Sequence, residues 1–149
     1  MMHPDRLQSR TGTYALVFEC RGAHAIGIGK LGTLDLTPGY YIYVGSAFGP
    51  GGIRARIKHH INRSMKPHWH IDYLKSHCRL DEIWIEYSDQ RHESMWVAEL
   101  AGSERTTVPL NGFGASDGDA DSHLFHFNSP PASDLLPADV SLRIKLTTQ

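Results

Sequence analysis

Glu93 precedes Trp96 and Val97 by one helical turn, and a helix here sets it in the middle of an apolar face completed by Leu100 and Ala101. A carboxylate among core side chains is costly unless a metal ion or a guanidinium pairs with it. A place in the first helical turn, near solvent, offsets part of that cost through the helix dipole. Glu99 falls outside the face, so the two glutamates are not equivalent. An earlier segment carries a guanidinium. The stripe Ile53, Ile57, Ile61 predicts an amphipathic helix over 53–63. Arg56 and His60, four apart, share one shoulder of that stripe, and Arg54 and Lys58 share the other. From a shoulder a side chain can reach into a cleft or lie over apolar surface, and facing alone leaves both open. Ahead of this helix runs FGPGG, a turn nearly free of side chains whose backbone N–H groups would suit a phosphate. No Gly-Lys-Ser/Thr follows it, so it is not a Walker loop, and a plain strand-to-helix turn has the same composition.

The elements that must position these residues are short. TYALVFEC, HAIGIGK, LGTLDL and YYIYVGSA read as strands, separated by turn residues. A second short helix is expected over 70–75, and LDEIWIEYS alternates as a strand with Ile83, Ile85 and Tyr87 on one face. Ser88 or Asp89 is the expected cap of the helix that ends near Ala101. SHLFHF is a further strand, and another is possible near 142–146 after the Pro-rich stretch that begins at Ser129. Strands mixed with three helices around one small sheet give an α+β (mixed α/β) domain.

At 149 residues the chain fits one domain. It has no apolar run long enough for a bilayer, and MMHPDRLQSR has no apolar core of a secretory signal. Two cysteines make no disulfide framework, so reduced thiols and a cytoplasmic location are expected. The net charge is only −1, but it is polarised. Between Gly51 and Arg79 seven cations (Arg54, Arg56, Lys58, Arg63, Lys66, Lys75, Arg79) face one acid, Asp72, with five histidines interleaved. Between Leu80 and Asp121 ten acids face Arg91 and Arg105. A basic face can meet a polyanion while the pI stays near neutral; a solvated helix surface has the same charge pattern.

Taken together, these motifs resemble the GIY-YIG nuclease superfamily. Gly12-Thr13-Tyr14 stands where that family has its first signature and Tyr43-Val44-Gly45 where it has the second. Arg56 and His60 match its Arg-x-x-x-His helix, and Glu93 opens the helix that carries its carboxylate. GYYIYVGSAFGPGG, KPHWHIDYL and GFGASDGDADSHLF are similar to the small stand-alone, Uri-type branch, and the resemblance runs from about Thr11 to Phe127. The implied nuclease domain is 11–128, with 1–10 and 129–149 as terminal extensions and no separate domain. The first triplet is Gly-Thr-Tyr instead of Gly-Ile-Tyr. Tyr14 and Tyr43 lie 29 residues apart, which implies hairpin residues inserted at about 24–37. A longer loop before the helix makes Arg56, not Arg54, the matching arginine. Where the branch carries Cys-x-Cys, this chain has Gly118-Asp119-Ala120.

The resemblance implies hydrolysis of phosphodiester bonds in nucleic acid, most simply DNA, with one Mg²⁺ or Mn²⁺ held by Glu93. Tyr14 or Tyr43 would take a proton from water, given a phenol pKa lowered by the metal and Arg56. Arg56 would clamp the phosphoryl oxygens and His60 would orient or relay a proton. Gly45 would let backbone or substrate approach the tyrosines. Gly45, Ser46, Gly51, Gly52, Arg54, Lys58, Arg63 and Lys66 are the expected phosphate contacts. His68, His70, Asp72, Asp117 and His123 are possible support. A homodimer or a targeting partner would supply recognition that one small domain lacks. Two rivals remain: a non-catalytic nucleic-acid-binding module of the same fold, and a zinc hydrolase using His68 and His70, with Asp72, His77 and Cys78 nearby.

Overall fold

The computed structural model of the chain describes residues 6–62, 66–67, 69–114 and 122–146. Strand β1, Gly12–Cys20, is the centre of a five-stranded antiparallel sheet. On one side it pairs with β4, Gly39–Ala47, from Gly12 opposite Ala47 to Cys20 opposite Gly39. On the other it pairs with β5, Arg79–Tyr87, with a register shift between Val17 and Phe18. The edges are β6, Leu124–Phe127, beside β4, and β7, Leu142–Lys145, beside β5. The hairpin of β2, His24–Ile28, and β3, Gly32–Leu36, forms a separate two-stranded sheet. Helices α1, Gly52–Ile61, and α2, Glu93–Ala101, complete the α+β fold, with a 3₁₀ turn at His70–Leu74.

Strand periodicity explains how one sheet carries two cores. Successive side chains of a strand point to opposite faces, so β1 must be apolar throughout when both faces are covered. Tyr14, Leu16 and Phe18 point to the face covered by α1, the hairpin and the 3₁₀ turn. Ala15 and Val17 point to the face covered by α2 through Trp96, Val97 and Leu100. Ile53 and Ile57 of α1 are fully buried, each contributing about 1.5–3 kcal/mol of apolar burial. In the hairpin only alternate residues (Ile26, Ile28, Leu34, Leu36) are buried, as expected of a two-stranded sheet with one wet face.

Several local expectations are revised. Helix α1 ends at Ile61, two residues early, because Asn62 turns extended while its N–H still bonds the carbonyls of Lys58 and His59. Neither Ser88 nor Asp89 caps α2. Ser88 closes the end of β5 by donating its N–H to the Thr11 carbonyl, and Asp89 Oδ1 accepts from the Thr11 hydroxyl. The helix therefore opens only at Glu93, after His92, whose side chain makes no cap. Ala101, expected on the apolar face, is exposed.

The chain after 128, read from sequence as an extension, supplies the edge strand β7. Its anchor is polar: Arg143 donates from Nε to Glu82 Oε1 at 2.7 Å and from Nη2 to Oε2 at 3.2 Å. Trp84 Nε1 donates to the same carboxylate at 3.1 Å. No helix among the described residues is long and apolar enough to cross a membrane.

Candidate active site

Tyr14 faces Gly45 across the β1–β4 ladder. A Cβ at position 45 would stand 2.5 Å from both Cζ and Oη of Tyr14, so the phenol lies directly on glycine backbone. Tyr43, on the same face of β4, turns its ring edge-on to His60 and Phe113 at centroid distances of 6.4 and 6.2 Å. His60, placed by helical spacing on a shoulder of α1, is in fact 2% exposed, because the 3₁₀ turn and Trp69 cover that shoulder. Its Nε2 is 2.7 Å from the Tyr14 hydroxyl. Arg56, one turn earlier, is half-buried and stacks its guanidinium over the Trp69 ring at 4.6 Å. The shared shoulder thus does put Arg56 and His60 together, and beside Tyr14.

Glu93 reaches the same neighbourhood from the opposite face of the sheet. Its Oε2 is 3.3 Å from His123 Nδ1, which also lies 3.2 Å from the Val44 carbonyl. Burial opposes the charged form of His123, but its hydrogen bond to Glu93, that carboxylate's charge and the Val44 carbonyl together raise its pKa. Glu93 keeps 29% of its side chain exposed, which makes it a rim carboxylate and not a sealed one. The electrostatics tie the groups together. Burial pushes the Tyr14 phenol well above its ordinary value, with Tyr43 and Glu93 adding, while the charge and hydrogen bond of Arg56 pull it down. Tyr43 is likewise raised by burial first and by Glu93 next, against Arg56. Arg56 therefore acts in the expected direction, but burial outweighs it. Both phenols are protonated at neutral pH. His60 is lowered to about 3, by burial and then by Lys75, with Asp72 opposing, so it is a neutral imidazole there.

Three N–H groups where the loop runs into α1 are already bonded within the protein. The N–H groups of Gly52, Ile53 and Arg54 bond the carbonyls of Gly49, Arg10 and Gln8. Residues 8–10, to which the sequence assigned no role, satisfy this helix end. Gly51 and Gly52 serve the turn itself, both with positive φ. Arg54 is likewise occupied, its Nε donating to the Leu7 carbonyl at 2.9 Å. Ser46 is half-buried in β4 opposite Thr13, and Lys58 and Lys66 are exposed. Arg63, His68, Asp117 and the stretch Gly118-Asp119-Ala120 lie outside the described residues.

Support residues fall into two groups. His70 Nδ1 accepts the Gly114 N–H at 2.8 Å, which anchors the turn after Phe113. Asp72 is buried and collects the Trp69 N–H, His59 Nε2 and Lys75 Nζ within 3.1 Å. Trp69, His59 and Lys75 were not picked out as site residues, since only the packing of the 3₁₀ turn on α1 brings them in. Among the described residues, the His/Cys/Asp/Glu group close enough to share one ion is Glu86, His92 and Asp139, within 4.8 Å of one another. It includes none of His70, Asp72, His77 and Cys78; His68, the other residue of the zinc reading, lies outside the described residues. The group too was invisible in sequence, because Asp139 comes from the tail. A separate cleft of about 600 Å³, between the hairpin and the 3₁₀ turn, meets the site at Asp72 and Lys75.

The protein is a small antiparallel α+β domain with a polar site that includes two phenols, a guanidinium, a neutral imidazole and a rim carboxylate. The chain belongs to the family described as Domain of unknown function DUF123, which it matches over residues 13–143. No curated protein and no solved structure matches it.

Proposed function

We propose that the chain is a metal-dependent endonuclease of the GIY-YIG type that hydrolyses phosphodiester bonds in DNA. The observation that carries this reading is the grouping of Tyr14, Tyr43, Arg56, His60 and Glu93, drawn from four elements across both faces of the sheet. A binding surface alone has no use for a buried Tyr–His hydrogen bond beside a rim carboxylate.

Glu93 fits a hard cation. It is a single, partly solvated carboxylate, the kind of protein ligand Mg²⁺ or Mn²⁺ takes when water and substrate phosphate complete the shell. Such an ion, when bound, supplies charge neutralisation at the phosphoryl group and makes water easier to deprotonate. Arg56, held over the Trp69 ring, would present its planar fork to the non-bridging oxygens. Tyr14 is a neutral phenol, so it acts as base only by exchange. Its oxygen takes a proton from water while its own proton passes to His60 Nε2. The hydroxide attacks phosphorus, the P–O bond to the leaving oxygen breaks, that oxygen takes up a proton from solvent, and His60 releases the proton it gained to solvent, which restores the pair. The negative phosphate beside His60 opposes the burial that depresses its basicity. Lys58 and Lys66, both exposed, extend the positive surface along which a nucleic-acid backbone would run. A homodimer or targeting partner would supply sequence recognition.

The test is incubation of end-labelled single-stranded, duplex and branched DNA, and RNA, with Mg²⁺ or Mn²⁺, beside Glu93→Ala and Arg56→Ala. Cleavage by the wild type, lost in both variants, is the expected result. Binding without cleavage, indifferent to Glu93→Ala, would instead mark a non-catalytic nucleic-acid-binding module.

A further inference from the structure

We propose that Asp72 is a positioning residue that fixes the tautomer of His60, so that Nδ1 carries the proton and Nε2 is left to accept from Tyr14. The inference rests on the reading of Tyr14 and His60 as the proton-handling pair and adds a third member from a separate segment.

The geometry is specific. His60 Nδ1 is buried and makes no hydrogen bond among the described residues. It stands 3.9 Å from Asp72 Oδ1, with side chains 0% and 2% exposed, so bulk water does not separate them. Asp72 is fixed where it is: Oδ2 accepts the Trp69 N–H at 2.9 Å and faces His59 Nε2 at 3.1 Å, and Oδ1 faces Lys75 Nζ at 3.1 Å. Lys75 is held in turn by the His59 carbonyl at 3.0 Å. A carboxylate so anchored gives the facing imidazole two unequal choices. With Nε2 protonated, the Nδ1 lone pair points at a negative oxygen in a dry site, which is repulsive. With Nδ1 protonated, an N–H dipole points at it, and Nε2 offers its lone pair to the Tyr14 hydroxyl 2.7 Å away.

The 3.9 Å gap is longer than a hydrogen bond. An imidazolium at His60 would be drawn toward this carboxylate, against the Lys75 ammonium 3.1 Å from the same oxygen. Asp72 thereby orients the neutral ring before the transfer and favours the charge that develops during it. A purely structural role, closing the 3₁₀ turn through Trp69 and tying down Lys75, uses the same carboxylate but leaves the tautomer unspecified.

The test begins with the wild-type full chain, ¹⁵N-labelled, without nucleic acid or metal. A long-range ¹H–¹⁵N spectrum of the histidine rings, with His60 assigned by loss of its signals in His60→Gln, reads the tautomer directly. Protonated Nδ1 and bare Nε2 are expected; protonated Nε2 overturns the proposal even if Asp72→Asn does not fold. In folded Asp72→Asn, a mixed or inverted tautomer is expected. There kcat should fall on the order of 10²-fold with KM within about twofold. Retention of the wild-type tautomer in that variant, or of wild-type kcat, would also overturn it. A chain with the expected tautomer that cleaves no nucleic acid defeats the nuclease reading alone.

Discussion

Gly45→Ala is the smallest change that tests how the site is built, and the structure fixes the sign of its effect. In an ordinary strand position, replacing glycine by alanine stabilises by about 0.4–1 kcal/mol, because the unfolded chain loses freedom. Here the new methyl would stand 2.5 Å from Tyr14 Cζ and Oη and 3.0 Å from Cε2. Carbon–carbon contacts settle near 3.5–4.0 Å, so the ring must retreat by roughly 1 Å. The backbone cannot share the move, since Tyr14 and Gly45 face each other within a nine-pair ladder. The retreat breaks the 2.7 Å bond to His60 and leaves a buried imidazole nitrogen without its partner. Overpacking costs about 1–3 kcal/mol and the lost bond about 1–3 more. The expected net is about 1–5 kcal/mol of destabilisation, read by urea unfolding. Displacement of a reacting group by this much should slow cleavage by about 10²-fold. The control is the Tyr14→Ala background, where Gly45→Ala should become neutral or stabilising. Stabilisation by Gly45→Ala in the otherwise wild-type chain would refute the packing of Tyr14 on Gly45.

Three further outcomes follow from other contacts. His60 is held neutral with its pKa lowered to about 3, so below about pH 6.5 the unfolded chain binds the extra proton and stability falls toward pH 3. At pH 5.5 the loss from this group is about 1.4 kcal/mol, measured as the difference in unfolding free energy between wild type and His60→Gln across a pH series; a difference independent of pH would contradict it. Arg56→Lys keeps the charge but gives up the planar stack on Trp69, so cleavage should fall by at least about 10-fold while affinity for DNA, read by fluorescence anisotropy, changes little. Arg143→Ala strands the buried Glu82 carboxylate and should cost about 3–5 kcal/mol in chemical denaturation, although it is far from the site in sequence.

What the sequence disclosed and what it hid divide along physical lines. The strand runs were legible because burial on two faces forces continuous apolar stretches such as TYALVF, and the hairpin because only alternate residues are buried. The pairing of Arg56 with His60 was legible because helical spacing is local. Its depth was not, since the 3₁₀ turn that seals His60 belongs to a different segment, and so does Asp72. Glycine and proline correctly marked the loop before α1. The N–H groups of Ile53 and Arg54 just after it are nevertheless bonded to the carbonyls of Arg10 and Gln8, a long-range contact that no local pattern announces. The start of α2 was misjudged for the opposite reason: Ser88 and Asp89 have the right chemistry for a cap, but their partners lie on Thr11 and Gln90.

The central claim is tested most directly by single-turnover cleavage of labelled DNA as a function of Mn²⁺ concentration, wild type against Glu93→Gln. The account predicts a wild-type rate that rises and saturates with Mn²⁺, and a folded Glu93→Gln protein at least about 10²-fold slower with no saturation in the same range. A Glu93→Gln protein that cuts at the wild-type rate with the wild-type Mn²⁺ dependence would contradict it.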